Sequence, residues 1–409
     1  MALNYIWIAL FTIGFVVGII KVCMGDVDAL PAMMNSTFEM SKEGFEMTLG
    51  LTGTLTLWMG ILKIGETSGL VERLAHFLSP VLTKLFPEIP KDYPALGSIF
   101  MNYAANMLGL DNAATPMGLR AMGQLQELNK DKDTASNSQI MFLVLNTSGL
   151  TIIPVSIMAY RSKYGAGDPT DVFIPMLLAT MCSTIVGLIA VSIRQRINLL
   201  NKAMLIVALV VAALVAGLFT AIHGMNTQQV QHFCSIMTSI ILLGAIILFI
   251  WSGVIKKINV YNAFIEGAKG GFHVAVTLIP YTVAILVAVG VFRESGCLKL
   301  IQDTLSSGVN ALGLNSDWVG ALPVALMKPL DGGGARGMML NCFDTFGVDS
   351  FVGHLASVLQ GSTDTTFKIL AIYFGSVGIK KYRYAVGCGL IADVAGMVAA
   401  VFFSYFFFA

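Results

Sequence analysis

The chain has 409 residues, 56% of them hydrophobic and only 12% charged, with a formal net charge of +1. Soluble domains carry roughly a quarter charged residues, so this composition excludes an ordinary water-soluble domain, points to lipid as the main solvent and gives no basis for a nucleic-acid partner. The six cysteines (Cys23, Cys182, Cys234, Cys297, Cys342 and Cys388) form no CxxC pair and have no His at ligand spacing, which argues against a disulfide framework, a zinc site or another bound metal.

The N-terminal MALNYIWIALFTIGFVVGIIKVC lacks a basic leader and a small-residue cleavage site, so it reads as an uncleaved first span. A bilayer core requires about 20 apolar helical residues. Such stretches are expected near 3–23, 46–64, 139–159, 172–193, 203–222, 233–254, 272–292, 351–379 and 384–408, the 351–379 stretch being interrupted by Asp364 and Lys368. Gly14 and Gly18 mark close helix packing, and Arg73, His76 and Lys84 lie on an interfacial amphipathic helix.

Two regions do not read as ordinary spans. PALGSIFMNYAANMLGLDNAATPMGLRAMGQLQEL (94–128) has two short apolar pieces broken at Leu110-Asp111-Asn112, and WVGALPVALMKPLDGGGARGMMLNCFDTF (318–346) has two broken at Pro329-Leu330-Asp331 and a triple glycine. Short helices meeting at a polar break predict a re-entrant hairpin, tolerated at membrane depth only where protein or a cavity satisfies the backbone.

The order of segments recurs: a span ending near Glu66 or Glu294, an amphipathic stretch, a broken hairpin, a polar-interrupted span (NTSGLT at 146–151, GSTDT at 361–365) and a final span. Glu66 and Glu294 read as helix-end residues. This order predicts an all-α polytopic membrane protein of two inverted-topology repeats, 1–198 and 229–409, joined by a connecting helix at 199–228. The basic loops at Arg194, Arg196 and Lys202, at Lys256, Lys257 and Lys269, and at Lys380, Lys381 and Arg383 belong in the cytoplasm by the positive-inside rule. That places the N-terminus and the 120–138 loop inside. The first hairpin then enters from the cytoplasm and the second from outside. Arg161 and Lys163 fall outside, against the rule.

Inverted repeats with interrupted helices place substrate and coupling ions where the breaks meet. Free backbone groups and helix-dipole ends make those breaks the candidate site. In the first half the candidates are Asn102, Asn106, Asp111, Asn112 and Thr115 on the hairpin and Asn146, Thr147, Ser148 and Thr151 on the next span; interhelical hydrogen bonding is the structural alternative. In the second half they are Lys328, Asp331, Gly333 and Arg336, whose alternative is an internal ion network at the hairpin tip, and Ser362, Thr363, Asp364 and Thr365. Asp364, Asp111, Asp331 and Asp393 are candidates for handling a coupling ion, Na⁺ or H⁺, with Asp364 first and a pairing with Lys368 as its alternative.

GETSGL, ALGSIFMNYAANMLGLDNAATPMGLRAM and LNTSGLTIIP in the first half resemble spore maturation protein A. KPLDGGGARGMML, FGVDSFVGHLASVLQGSTDTTFKILAIYFGSVGIKK and RYAVGCGLIADVAG in the second resemble spore maturation protein B. The chain thus resembles the two fused, within the nucleoside-recognition or gate domain group, which also includes domains of concentrative nucleoside transporters and of ferrous-iron transporters. The resemblance implies two re-entrant hairpins and two broken helices related by inversion, in the bacterial inner membrane.

The leading expectation is Na⁺- or H⁺-coupled secondary transport of a small carboxylate-bearing or zwitterionic solute, such as an amino acid or short peptide. A nucleoside is the alternative the family name suggests, disfavoured by the scarcity of aromatic residues in the runs around the breaks. A non-transporting scaffold in envelope or spore maturation is a second class. A metal channel has no ligand cluster to support it, and an enzyme no nucleophile–base pair. The charge-poor spans 203–222 and 233–254 suit packing or a subunit interface, and suggest a homodimer among membrane lipids.

Overall fold

The structure, a computed structural model, describes residues 2–90, 93–107, 111–152, 154–199, 201–222, 227–311 and 315–409. These are helical, with no β-strand among the described residues and one isolated bridge, Thr134 to Lys381. The first half runs α1 (Ala2–Cys23), α2 (Ala29–Thr67), α3 (Leu70–Leu85), α4 (Pro94–Met107), α5 (Asp111–Leu128), α6 (Asn137–Ser148), α7 (Val155–Lys163) and α8 (Phe173–Gln195). Then come α9 (Lys202–Ile222) and α10 (Thr227–Ile255). The rest comprises α11 (Val260–Glu294), α12 (Cys297–Ala311), a 3₁₀ turn at Asp317–Ala321, α13 (Leu322–Met327), α14 (Gly332–Phe346), α15 (Phe351–Gly361), α16 (Thr366–Ser376) and α17 (Ala385–Phe408).

Among the described residues, Phe173–Gln195, Ile236–Ile255 and Ala385–Phe408 are long and apolar enough to cross a membrane, and Trp7–Cys23 and Met204–Leu218 are shorter apolar helices. The protein is a helical membrane protein.

The stretches expected at 46–64 and 272–292 are the apolar parts of much longer helices. The 39 residues of α2 and 35 of α11 extend roughly 50–60 Å at 1.5 Å per residue, well beyond a hydrocarbon core of about 30 Å. Polar segments such as Lys42–Glu46 continue the helix because nothing in them breaks it. The two helices pack along each other. A Cβ on Gly267 would lie 2.3 Å from the Met59 carbonyl oxygen, and one on Gly271 would lie 2.7 Å from that of Leu55, so the backbones touch.

The stretch at 139–159 is not one continuous helix. It stops at Ser148 and resumes at Val155, as the 351–379 stretch stops at Gly361 and resumes at Thr366. Gly149 ends α6 in the left-handed conformation (φ 51°), and Pro154 immediately precedes α7, so backbone chemistry prevents the turn from continuing.

Two ends of the molecule can be told apart. At one, Lys380 and Lys381 donate backbone N–H groups to the Asp133 carbonyl, Arg383 donates to Ala135 O, and Gln195 and Tyr384 reach Asn137 at the start of α6. Tyr93 and Glu127, the outer ends of the α4–α5 hairpin, also meet here, and Gln126 donates to Val377 O. At the other end, Asp171 before α8 meets His354 of α15, and the Phe408 ring stacks on His354. Hence α8 and α17 run antiparallel, and α6 and α15 enter from opposite ends. The 3₁₀ turn lies beside Phe346 and Val352 at the second end, so the α13–α14 hairpin opens there.

Candidate functional site

Four interruptions come together. Ile152 N–H donates to Met107 O at the tip of the first hairpin, and Phe367 N–H donates to Pro329 O at the tip of the second. Asp364 N–H donates to Thr147 O, joining the broken helices of the two halves at 2.9 Å. Carbonyls orphaned at a helix end thus accept from the backbone of a neighbouring break, which supplies the satisfaction that buried polar backbone requires.

Between these segments lies a cavity of about 180 Å³, lined from both halves. The first half contributes Asn106, Asn146, Gly149, Thr151, Ser156 and Tyr160. Asn106 donates to Asn146 Oδ1 at 2.8 Å, and Asn146 donates to Phe142 O at 2.9 Å. The second half contributes Lys328, Arg336, Met339, Gln360, Thr363 and Asp364. Lys328 is buried with its ammonium on the Gln360 carbonyl at 2.5 Å. Arg336 lies over the Tyr160 ring, 5.4 Å from its centroid. Among the described residues no carboxylate forms an ion pair with Lys328 or Arg336, and none joins Asp364 to Lys368. Lys368 is exposed. Asp364 Oδ1 accepts from Thr365 N–H, and the Asp364–Lys368 pairing considered from sequence is not made.

The other predicted residues divide plainly. Asn102 is fully buried and donates to Ala114 O and Tyr373 Oη. Thr147 and Ser148 are buried behind the cavity wall. Asp331 caps α14 by accepting from Gly334 N–H, and Gly333 sits in that first turn; no Lys–Asp–Arg network forms there. Ser362 donates back to Leu359 O, Thr365 stands at the N-cap position of α16 without a side-chain cap bond, and Asp393 lies fully buried on α17. Thr115 is exposed on α5. The side chains of Asp111 and Asn112 lie outside the described residues.

Sequence reading missed Tyr160 and Gln360. The scarcity of aromatics around the breaks is therefore corrected in space: Tyr160 is buried in the cavity wall. Its spacing of four from Ser156 puts both on one face of α7, a signal visible only once the helix start is known.

Arg161, the residue at odds with the charge rule, is fully buried. Its guanidinium meets Asp171 at 2.9 Å and Asp349 at 3.1 Å, and donates to Val348 O. His354 Nε2 reaches the same Asp171 at 2.8 Å. This network ties the halves together at the second end, and neutralisation by two carboxylates removes Arg161 from any count of free loop charge. A wider cleft of about 860 Å³ opens nearby, lined by Arg293, Asp317, Asn341 and Ser350 among others. Its walls belong to the second half alone, and the breaks do not reach it.

The nucleoside-recognition (Gate) family model matches residues 48–196. The chain is similar to spore maturation protein A of Bacillus subtilis (strain 168), 41% identical over 186 residues, covering 46% of this chain and 92% of that protein. It is also similar to spore maturation protein B of the same organism, 43% identical over 174 residues, covering 42% of this chain and 94% of that protein.

Proposed function

Because the chain belongs to the spore maturation protein A and B group of the nucleoside-recognition (Gate) family, we propose that it is a secondary transporter of a small zwitterionic or carboxylate-bearing solute, coupled to Na⁺ or H⁺, in the bacterial inner membrane with its N-terminus in the cytoplasm. The observation that carries this reading is the polar cavity at the junction of four helix interruptions, lined by Lys328, Arg336 and Asp364, with no carboxylate ion-paired to Lys328 or Arg336 among the described residues.

A buried Lys328 and a half-buried Arg336 without ion-pair partners favour an anion. A substrate carboxylate supplies it, with Arg336 offering a planar fork and Lys328 a point charge. Asp364 and the Gln360 Oε1 atom, which has no hydrogen-bond partner among the described residues, accept from an ammonium group. The volume is below the roughly 300 Å³ at which drug-sized ligand pockets begin, which favours an amino acid over a peptide or nucleoside. The antiparallel arrangement of α8 and α17 and the opposed entry of the hairpins support an inverted pair of repeats rocking about the cavity.

Uptake of labelled amino acids, dipeptides and nucleosides into proteoliposomes, with and without a Na⁺ or pH gradient, tests this. Gradient-driven accumulation of an amino acid is expected. Accumulation of nucleosides alone would transfer the site to the family's nominal ligand. No accumulation of any solute by folded protein would favour a non-transporting membrane role in spore maturation.

A further inference from the structure

Sharing Thr363 with the cavity wall is a second, buried cluster rich in oxygen atoms. Asp393 is fully buried on α17. Its Oδ2 accepts from Thr366 Oγ1 at 2.6 Å, and its Oδ1 has no hydrogen-bond partner among the described residues. Thr363 lies beside the same carboxylate, yet its Oγ1 completes no hydrogen bond there, and the Oγ1 of Thr147 is likewise buried and unpartnered among the described residues. Thr363 and Thr147 are 5% and 0% exposed, so water does not serve these groups from outside.

The backbone is shaped for this proximity. Gly389 and Gly396 flank Asp393 at spacings of four and three, on its face of α17. A Cβ on Gly389 would lie 2.8 Å from Thr366 and 3.5 Å from Thr147. One on Gly396 would lie 2.6 Å from Thr363 and 3.2 Å from the Ser362 carbonyl oxygen. α17 therefore lies so closely against the ends of α6 and α15 that Thr147, Thr363 and the Ser362 carbonyl pack around the stretch carrying Asp393, whose carboxylate meets the Thr366 hydroxyl. An orphaned buried polar atom costs about 1–3 kcal/mol, and several in one place are unfavourable unless a ligand satisfies them together.

We propose that Asp393, Thr147, Thr363, Thr366 and the Ser362 carbonyl form a binding site for a dehydrated Na⁺ ion. The donor set is hard oxygen throughout, which excludes soft metals. Asp393, Asp364 and Lys328 lie close enough to act on one another, so two carboxylates and one ammonium leave one negative charge for a monovalent ion, whereas a divalent ion would leave uncompensated charge at depth. Backbone carbonyls at a helix break carry the negative end of the helix dipole, which favours a cation. The ion would hold α6, α15, α16 and α17 together directly behind Asp364, whose N–H is already bonded to Thr147 O. Binding would thereby stiffen the cavity wall. The link to substrate movement rests on the transport reading above; the ion site does not.

Thermal unfolding of the purified full-length protein at pH 8 in NaCl, KCl or choline chloride of equal ionic strength tests the site. A saturable, Na⁺-specific rise of about 2–4 °C is expected at high occupancy, and Asp393→Asn should abolish it. Thr147→Val and Thr363→Val serve as second variants. Replacing an idle orphaned hydroxyl by a methyl of similar shape is neutral or stabilising, so idle hydroxyls would leave the Na⁺ midpoint unchanged, whereas ligands would shift it about 10-fold or more. The proposal is overturned if the wild type shows no Na⁺-specific rise, or if the rise survives in both Asp393→Asn and the threonine variants. Uptake without a Na⁺ response would remove this site and leave transport standing; a Na⁺ response without uptake would do the reverse.

Discussion

The two broken helices offer the same backbone and different chemistry. At 149–154 the chain turns through glycine and proline, and the neighbouring side chains that reach the cavity are amides and hydroxyls: Asn106, Asn146 and Thr151. At 362–365 the turn carries Asp364, the adjacent hairpin adds Lys328 and Arg336, and α17 adds Asp393. Facing Asp393's neighbour Ala392 across the helix pair, α8 presents a neutral Ser183, which donates to Ala392 O at 2.9 Å. Both regions thus supply a helix break to the cavity, and the charged side chains come from residues 328–393. On the transport reading proposed above, that one-sided charge would orient a polar solute and a cation.

The largest expected effect on transport tests that division directly. Asp364→Asn should lower uptake about 100-fold, since losing one partner of a desolvated charge contact costs about 3 kcal/mol. Asn146→Ala, in the neutral half, should weaken half-saturation only about 10-fold, the scale of one neutral hydrogen bond in a buried setting. Equal losses from both variants in proteoliposome uptake would break the comparison.

Arg161 is the exception that sharpens it. It is the first half's deeply buried charge, but one of its two carboxylate partners, Asp349, belongs to the second half. Its role on this geometry is to clamp the halves. Arg161→Met should destabilise by about 3–5 kcal/mol, because it strands Asp171 and leaves His354 facing it alone. Asp349→Asn should cost much less, since Asp349 is 48% exposed and water can replace the pairing. Chemical denaturation in detergent checks both, and comparable losses would show that burial is not what separates them.

Much of this could be read from residues alone. The breaks at 149–154 and 362–365 are signalled by Gly149, Pro154 and Asp364, and the hairpin tip at 328–331 by Pro329 and three glycines, because local backbone chemistry decides where a helix stops. The second half's charges were equally visible. The lengths of α2 and α11 were not, because an apolar window records where lipid is met and not where the helix ends. Nor were the Arg161 clamp and the place of Tyr160: Arg161 and Asp349 are 188 residues apart, and only the antiparallel packing of the halves brings such partners together. Asp331 illustrates the opposite ambiguity. A charge beside three glycines reads as a ligand, yet Asp at that position is also a strong helix cap, and capping is the contact it makes.

The smallest expected effect concerns two serines that scaffold symmetry should make nearly equal. Ser136 caps α6 and Ser350 caps α15, the helices that enter from opposite ends and stop at the breaks. Ser136 accepts from Gln139 N–H at 3.3 Å, while the Gln139 side chain accepts from Ser136 N–H at 2.8 Å, completing a reciprocal box. Ser350 accepts from Gly353 N–H at 3.0 Å and donates to Gly347 O at 2.7 Å, with no reciprocal partner three residues on because Gly353 has no side chain. Loss of a cap hydroxyl costs about 0.5–2 kcal/mol. In Ser136→Ala the Gln139 contact to the backbone N–H survives; in Ser350→Ala the bonds at both ends of the hydroxyl vanish together. Both substitutions should therefore lower stability within that range, Ser350→Ala by somewhat more, with neither changing the solute selectivity of uptake. A cost confined to one serine would mean that the two halves bear on stability as unequally as they do on charge, and the division between shared scaffold and one-sided chemistry would fail.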